Sequence, residues 1–558
     1  MAEMENNKSQ GTLYNDLIRK CREAYDGEIV AACLHGSRAG GYHRENSDFD
    51  VLMILEEYPE GIRYNYLPFL NVHISLLLVD EELFKLDVST GGLGEFVAGR
   101  ILTPYVPLLN RMYLEESELT LKKRVCIEEL EEIIIEYGEL SRGIIFRPEF
   151  IALSRMRKRA RAYPPLGYSY LKLLSSKRRD ENLKTIVDGY MRALNILERE
   201  GVVKGLDGLY EIRDSFIDGV LKRKSTGKII NILEFSRRAI QSYLAQGRAG
   251  RVSLELIAKE LTTKLVRGLA APIWSEPFDP TSYLYLKAGE GAVALKDETS
   301  VMELIMRIRP NGEVKVKRLG SAINEVFLGE AGGERFVIKK FSDWFVFKWF
   351  TLNIVAFGSK IFSVSGRERL SNEYGVTNLL EEEGLPVPKI IHVSLPKRIL
   401  VKEYIRGRTY LDMVKQYINL NLTDMDYDSG PFHVLGETMA RVHSIGVALG
   451  DTKPENFIYS MDKTAYILDL EQARRDEDFA WDIAEFLYYS GHYGLTLNDG
   501  IKSIVEEFLN GYMSGGGEYT TLKRAASLPY LKVFSFWTPL PILIYLSNRL
   551  KKVDSRKT

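Results

Sequence analysis

The stretch that most constrains this chain is Gly450-Asp-Thr-Lys-Pro-Glu-Asn-Phe457, followed by Ile467-Leu-Asp-Leu-Glu471. Asp451, Lys453 and Asn456 fall in a short polar loop, and the run Ala465 to Leu470 reads as a strand carrying Asp469. Either half alone has the look of an Asx-capped turn or an edge strand. Together they form the set that phosphoryl transfer from a nucleotide asks for. One carboxylate takes the acceptor proton, and an amide and a second carboxylate hold Mg²⁺ on the phosphates. In that reading Asp451 is the base and Asn456 and Asp469 are the metal ligands. Lys453 neutralises charge on the moving phosphoryl group.

This pairing resembles the protein-kinase superfamily, and more closely its atypical branch of RIO kinases, the small KEOPS-complex kinase and aminoglycoside phosphotransferases. Upstream stretches extend the resemblance over roughly residues 315 to 515. Lys317 to Leu328 looks like a degenerate nucleotide-covering hairpin, with Gly320 where the usual loop has several glycines. Phe336-Val-Ile-Lys-Lys340 reads as the next strand. The resemblance implies that Lys339 contacts the phosphates and that Glu373, in a helix, is its ion-pair partner. Leu400-Val-Lys-Glu-Tyr404 looks like the hinge strand, so Glu403 and Tyr404 would meet adenine through their backbone.

The chain also departs from that family. Ala448-Leu-Gly450 stands where an Arg would precede Asp451, so control through a phosphorylated activation loop is not implied. Leu-Glu follows Asp469 in place of Phe-Gly, and Asp482 arrives 13 residues after Asp469, which leaves no room for a long peptide-docking segment.

Near the other end, an apolar strand from Glu28 to His35 follows a helix over residues 11 to 25. Gly36-Ser-Arg-Ala then turns into a short helix, and a second strand carries Asp48 and Asp50. Alternation along a strand puts these two carboxylates on one face, where they can share a metal ion. The Gly36 and Ser37 amides and the Ser37 hydroxyl can cradle a triphosphate. This unit, about residues 10 to 110, resembles the minimal nucleotidyltransferase family of the polymerase-β-like superfamily. The family usually sets a third carboxylate on a following strand, for a two-metal mechanism. Here that strand reads Asn71-Val-His-Ile-Ser-Leu-Leu-Leu-Val-Asp80, with His73 or Ser75 where an acid is expected and Asp80 at its end. Transferase activity of this part is left open.

At 558 residues the chain is too long for one core, which favours about three or four domains. Its 45% hydrophobic and 27% charged residues are those of a globular protein, and a net charge of -1 gives no global steering by nucleic acid or membrane. Three cysteines, Cys21, Cys33 and Cys126, suit no zinc site and fit a reducing cytosol. No apolar window is long enough for a spanning helix, and the polar N-terminus has no signal-peptide core. A cytoplasmic location is expected.

Residues 115 to 270 look helical, with periodic apolar positions in Val125 to Leu140, Thr185 to Leu197 and Ile229 to Ala245. Arg155-Met-Arg-Lys-Arg-Ala-Arg161 is either a solvated helix face or a surface for RNA or another polyanion. Residues 272 to 312 read as a linker with a few short strands. The aromatic insertion Phe341 to Phe362 suits burial, or an interfacial helix. The tail from Pro529 to Leu550 holds prolines that argue against a continuous membrane helix. It is expected to pack on the kinase-like lobe or on another domain, with a basic end in solvent.

The expected architecture is multidomain α/β and α+β. A nucleotidyltransferase-like α/β domain (1–114) precedes a helical, basic middle domain (115–270), a linker (271–312) and a bilobal protein-kinase-like fold (313–558). The expected function is ATP-Mg-dependent phosphotransfer to a protein or RNA-associated acceptor. Mn²⁺ is an alternative ion, and a second nucleoside triphosphate would bind at the first domain. The rival expectation is a nucleotide-binding scaffold with degenerate sites that binds RNA or a partner protein.

Overall fold

The computed structural model describes residues 2–25, 27–223, 241–242, 244–246, 249–250, 278–289, 291–299, 303, 314–319, 324–343, 363, 365–419, 430–475 and 478–553. The chain divides into two compact units, one of residues 1–136 and 145–284, the other of residues 137–144 and 285–558.

The first unit opens with helix α1 (Ala2–Arg22), strand β1 (Ile29–His35) and a single helical turn, α2 (Gly36–Ala39). Strands β2 (Phe49–Leu55), β3 (Ile62–Phe69), β4 (Val72–Asp80) and β5 (Val106–Leu109) complete a mixed sheet in the order β3-β4-β2-β1-β5, with helix α3 (Glu81–Thr90) between β4 and β5. β2 and β4 run parallel, in the register Asp50↔Ser75. Both strands are near-continuous apolar runs, as expected where a strand is covered on both faces. Leu17 and Cys21 of α1 pack with Val51, Met53, Leu76 and Leu78 on one of those faces.

Asp80 lies at the end of β4 as expected, but it is a helix cap and not a site ligand. Its carboxylate accepts from the Glu82 and Leu83 amides at the start of α3 and from the Tyr58 amide. That is the ordinary use of an Asp at an N-cap.

Helices α4 (Arg111–Tyr137), α5 (Pro148–Ala162), α6 (Pro164–Ser175), α7 (Arg179–Arg199) and α8 (Asp214–Lys222) supply most of the middle of the chain. They are interrupted by strands that a helical reading of residues 115 to 270 does not contain. β6 (Ile144–Phe146), β7 (Val203–Leu206) and β8 (Leu209–Ile212) pair antiparallel, with β8 in the centre. Such three- and four-residue strands carry too few residues to establish an alternation. The expected helix at Ile229 to Ala245 falls largely outside the described residues.

In the second unit β9 (Leu284–Ala288) and β10 (Gly291–Ala294) form a hairpin. Strands β11 (Val314–Arg318), β12 (Glu325–Ala331), β13 (Glu334–Lys340), β14 (Ile390–Ser394) and β15 (Ile399–Glu403) make an antiparallel sheet in the order β11-β12-β13-β15-β14. Helix α9 (Gly366–Glu382) runs between β13 and β14 in the chain and is buried along most of its length. The insertion Phe341 to Phe362 lies outside the described residues apart from 341–343.

After β16 (Gly407–Thr409) come helices α10 (Tyr410–Asn419) and α11 (Pro431–Ser444), a short strand β17 (Val447–Ala448), the hairpin β18 (Phe457–Ser460) and β19 (Ala465–Ile467), and β20 (Arg474–Arg475). Helices α12 (Phe479–His492), α13 (Asp499–Ser514), α14 (Tyr519–Ala525), α15 (Leu528–Phe534) and α16 (Leu540–Lys551) close the unit. One apolar core runs through this part, from Leu379 of α9 through Phe432, Phe486 and Phe508 to Phe534 and Leu546. The C-terminal tail therefore packs on its own unit through one face, as its apolar content demands.

The loop after α3 depends on one carboxylate. Buried Asp87 accepts from the amides of Leu93, Glu95, Val97 and Ala98, each at about 3 Å. Asp87→Ala strands all four buried donors and is expected to cost about 3 kcal/mol or more. Hydrogen-exchange mass spectrometry over residues 91–100 should show lost protection. Wild-type protection there would contradict this role.

Candidate functional site

The second unit concentrates buried charge around Lys339. This residue sits near the end of β13, paired with Leu400 of β15. Its ammonium lies 2.7 Å from Glu373 of α9, 2.8 Å from Asp469 and 3.0 Å from Glu471, the last two just past β19. Burial alone would discharge this lysine, but Asp469, Glu373 and Glu471 outweigh it and hold its pKa well above the ordinary value.

Each acid has a second cation or donor. Lys402 of β15 binds the other oxygen of Glu373 and donates to the carbonyl of Leu468, the residue before Asp469. Glu471 accepts from Asn324 at 2.7 Å and pairs with Arg369 of α9 at 3.2 Å. Three buried cations thus face three carboxylates.

Oxygens of Glu373, Asp469 and Glu471 lie within 4.8 Å of one another, a spacing that a metal ion can bridge. Both oxygens of Glu373 are already held by lysines. Asp469 has the most accessible side chain of the three, at 25%. Of this group it is the one placed to meet a metal.

Gly450 adopts φ +80°, which turns the chain into the 451–456 loop. The loop hangs from α12. Asp482 accepts from the Leu449 and Gly450 amides at 2.6 and 2.8 Å, and Glu485 accepts from the Thr452 amide at 2.7 Å. Asp451 is left partly exposed and paired with Lys453 at 2.8 Å. Asn456 donates to the Asp451 carbonyl at 3.0 Å, which leaves its side-chain oxygen for another partner. The Leu468 amide donates to the Asn456 carbonyl, so the β18–β19 hairpin brings Asn456 and Asp469 to the same end. Asp469 itself lies two residues beyond β19, outside the strand expected to carry it.

Glu403 and Tyr404 sit at the end of β15, where Glu403 pairs with Phe336. Gly320 lies outside the described residues.

In the first unit, Gly36 and Ser37 begin α2, and β1–β2 pairing sets His35 opposite Asp50. Gly36 has φ +73°, and a Cβ there would come within 2.6 Å of an Asp50 oxygen. Glycine is required on both counts. Asp48 stands one residue before β2, is exposed, and accepts from the His73 amide at 3.2 Å.

The residue in register with Asp50 is Ser75, not His73. Ser75 is buried, and its hydroxyl has no hydrogen-bond partner among the described residues. His73, two residues earlier on the same face, is exposed.

A cavity of about 1030 Å³ opens here, lined among others by Ser37, Asp50, Arg44, Arg100, Arg159 and Lys172. Arg159 belongs to the basic run, and that run corrects an expectation. Arg155 is buried against Glu95, Glu128 and Glu129, Lys158 pairs with Glu129 and Glu132, and Arg157 pairs with Asp279 at 3.3 Å. Arg159 donates to Tyr170 and to the carbonyls of Glu95 and Gly99. Most of these cations hold helix α5 to its own unit instead of forming an open row for RNA.

Residues 15–134 match the family model described as nucleotidyltransferase domain. Domains of this kind are transferases that use nucleoside triphosphates and divalent metals. The matched nucleotidyltransferase domain contains Gly36, Ser37, Asp48 and Asp50 but ends before α5 and α6, which bring Arg159 and Lys172 to the cavity. A relative from Methanocaldococcus jannaschii, named probable bifunctional tRNA threonylcarbamoyladenosine biosynthesis protein, is 28% identical over 153 residues. The match covers 26% of this chain and 25% of that relative, so the chain spans about a quarter of its length.

Sequence reasoning missed Lys402, Glu471, Arg369 and Glu485. Each acts through a partner at least 29 residues away, as in Lys402 to Glu373, and no local periodicity marks it. The signal available was chemical: Lys402 and Glu471 are charged residues in otherwise apolar strand-like stretches.

Glu95 provides a pH test of the packing beside the cavity. Burial raises its pKa, but Arg155, Arg124 and Arg159 outweigh burial and hold the carboxyl well below the usual range. A depressed acid stabilises the fold above its unfolded value, about 4.3, and that stability is lost as pH falls below it. Glu95→Gln should therefore lower stability at pH 7 and flatten the acid limb in urea titrations. Equal acid slopes in variant and wild type would contradict the assignment.

Proposed function

We propose that the second unit is an ATP-magnesium-dependent phosphotransferase of the atypical-kinase kind, and that the nucleotidyltransferase domain beside it in the chain binds a second nucleoside triphosphate. The observation that carries this reading is the buried Lys339 centre, where one ammonium meets Glu373 and Asp469 within 3 Å. With ATP bound, Lys339 turns from Asp469 to the phosphates while Glu373 keeps the lysine oriented. Asp451 accepts the proton of the attacking hydroxyl, and Lys453 offsets negative charge on the transferred group. Asn456 and Asp469 would hold magnesium, which supplies further charge neutralisation on the phosphates. Gly320, Glu403 and Tyr404 belong to the same proposal as nucleotide contacts.

The acceptor class follows from chemistry and from the relative. Short spacing between Asp469 and Asp482 disfavours an extended peptide. A partner in tRNA modification, the process in the relative's name, fits an RNA-associated or protein acceptor. A cytosolic setting and the four-part division at 1–114, 115–270, 271–312 and 313–558 complete the reading. No helix among the described residues is long and apolar enough to cross a membrane.

A second reading, nucleotide binding with at most weak transfer, is favoured for the first unit by Ser75 in register with Asp50. A hydroxyl cannot supply the charge that a third acid gives to a two-metal site. Asp48, Asp50, Gly36 and Ser37 would then hold a nucleoside triphosphate with one Mg²⁺ or Mn²⁺, and transfer would be slow.

Two assays separate these claims. With γ-labelled ATP, Asp469→Ala should abolish transfer, and Asp451→Asn should keep ATP binding while transfer falls by about 10²-fold or more. Wild-type turnover in both variants would refute the site. With α-labelled nucleotide, Asp48→Asn with Asp50→Asn should erase binding at the first unit and leave the γ signal intact, while Ser75→Asp should raise nucleotidyl transfer. A Ser75→Asp protein that folds and transfers no faster would refute the role given to that position.

A further inference from the structure

The C-terminal helices of the second unit carry a feature that phosphotransfer does not use. Helix α16 packs Ile542, Leu543, Leu546 and Leu550 into the core, yet the exposed side of its first two turns is also apolar. Leu540 and Ile544, one turn apart, are 64% and 51% exposed. The turn before the helix adds Phe536 at 72% and Trp537 at 48%, and Leu528 at the start of α15 is 80% exposed. Isolated exposed leucines are ordinary, but a group of this kind on neighbouring elements marks an interaction surface.

The turn is held in place. The Trp537 and Thr538 amides both donate to the Phe534 carbonyl, the Thr538 hydroxyl donates to the Tyr488 carbonyl at 2.8 Å, and His492 meets the Trp537 carbonyl at 2.7 Å. Core packing of Phe534 behind it therefore holds Phe536 and Trp537 outward.

Charge decides what covers this face. Residues 519–553 contain Lys523, Arg524, Lys532, Arg549, Lys551 and Lys552 and no Asp or Glu. Arg524 pairs with Asp478 and Arg549 with Glu506. Lys523, Lys532, Lys551 and Lys552 are exposed, and no ion pair engages them among the described residues. A second copy of the same face would bring like charges together, which disfavours a two-fold contact. Exposed aromatic and aliphatic side chains on a segment whose unpaired charges are lysines suit the headgroup boundary of an anionic bilayer, where rings and acyl chains meet and lysines reach phosphates. At 12 residues α16 is about 18 Å long, too short to span a hydrocarbon core of about 30 Å. It can only lie on the surface.

We propose that the exposed apolar residues Leu528, Phe536, Trp537, Leu540 and Ile544, with Lys532, Lys551 and Lys552 of the same helical segment, dock the protein peripherally on an anionic phospholipid surface. The docking is reversible and salt-sensitive, and it leaves the Lys339 centre untouched.

The test is co-sedimentation of the full chain with vesicles of equal phosphatidylcholine and phosphatidylglycerol, and with pure phosphatidylcholine. Binding is expected to the anionic vesicles alone and to fall at least tenfold in 0.5 M salt. Two variants probe the two halves of the surface, F536S/W537S/L540S and K532E/K551E/K552E, and each should lose at least tenfold in vesicle affinity. Both variants should remain folded by circular dichroism, with the larger loss of melting temperature in F536S/W537S/L540S because Trp537 is half-buried. No binding to either vesicle, or full binding by both variants, would overturn the proposal. So would a dimer in light scattering that F536S/W537S/L540S dissolves, because the face would then be a protein interface.

Discussion

A buried lysine must be paired or lose its charge, and Lys339 is paired three times over. Its carboxylate partners come from helix α9 and from the segment after β19, while the lysine itself belongs to the sheet. Lys402, Arg369 and Asn324 complete the compensation from β15, from α9 and from the residue before β12. Removing one partner from such a set strands a charge, which costs far more than the pair is worth in net stability. The network therefore fixes where α9, the sheet and the β18–β19 hairpin stand relative to one another within the second unit. It also stores a lysine whose position is set by negative charge, which a bound triphosphate can supply in place of Asp469.

The two candidate nucleotide sites use opposite electrostatic plans. Around Lys339 cations and anions are matched, so under the proposed function a polyphosphate with its metal would exchange partners inside a neutral set. In the first unit the cavity is lined by several cations, and among the described lining residues the acid is Asp50. Such a cavity attracts a polyanion without exchange.

Local features were legible in the sequence. The Asp451 loop, the hairpin that precedes Asp469, the Lys339 strand and the Glu373 helix all announce themselves within ten residues or so. The Gly36 turn does the same, whereas of the two carboxylates expected on one strand only Asp50 lies within β2, with Asp48 one residue before it. What was not legible depended on register or on distant partners. Choosing between Ser75 and His73 needs the β2–β4 pairing, since both lie on the same face of one strand. The inward aim of Arg155 and Lys158 depends on Glu95, Glu128, Glu129 and Glu132, so a count of cations could not distinguish an internal ion-pair cluster from an open patch. Asp80 shows the same limit, because a carboxylate at a strand end serves equally well as a metal ligand or as a helix cap.

Calorimetric titration of magnesium-ATP into the full chain and into Lys339→Met tests the central claim most directly, with circular dichroism to confirm that the variant is folded. If the Lys339 centre receives the phosphates, the folded variant should bind at least tenfold more weakly, while Ser75→Asp, in the other unit, leaves that binding event unchanged. Unaltered affinity in folded Lys339→Met would mean that the buried lysine serves structure alone and that the phosphates are held elsewhere.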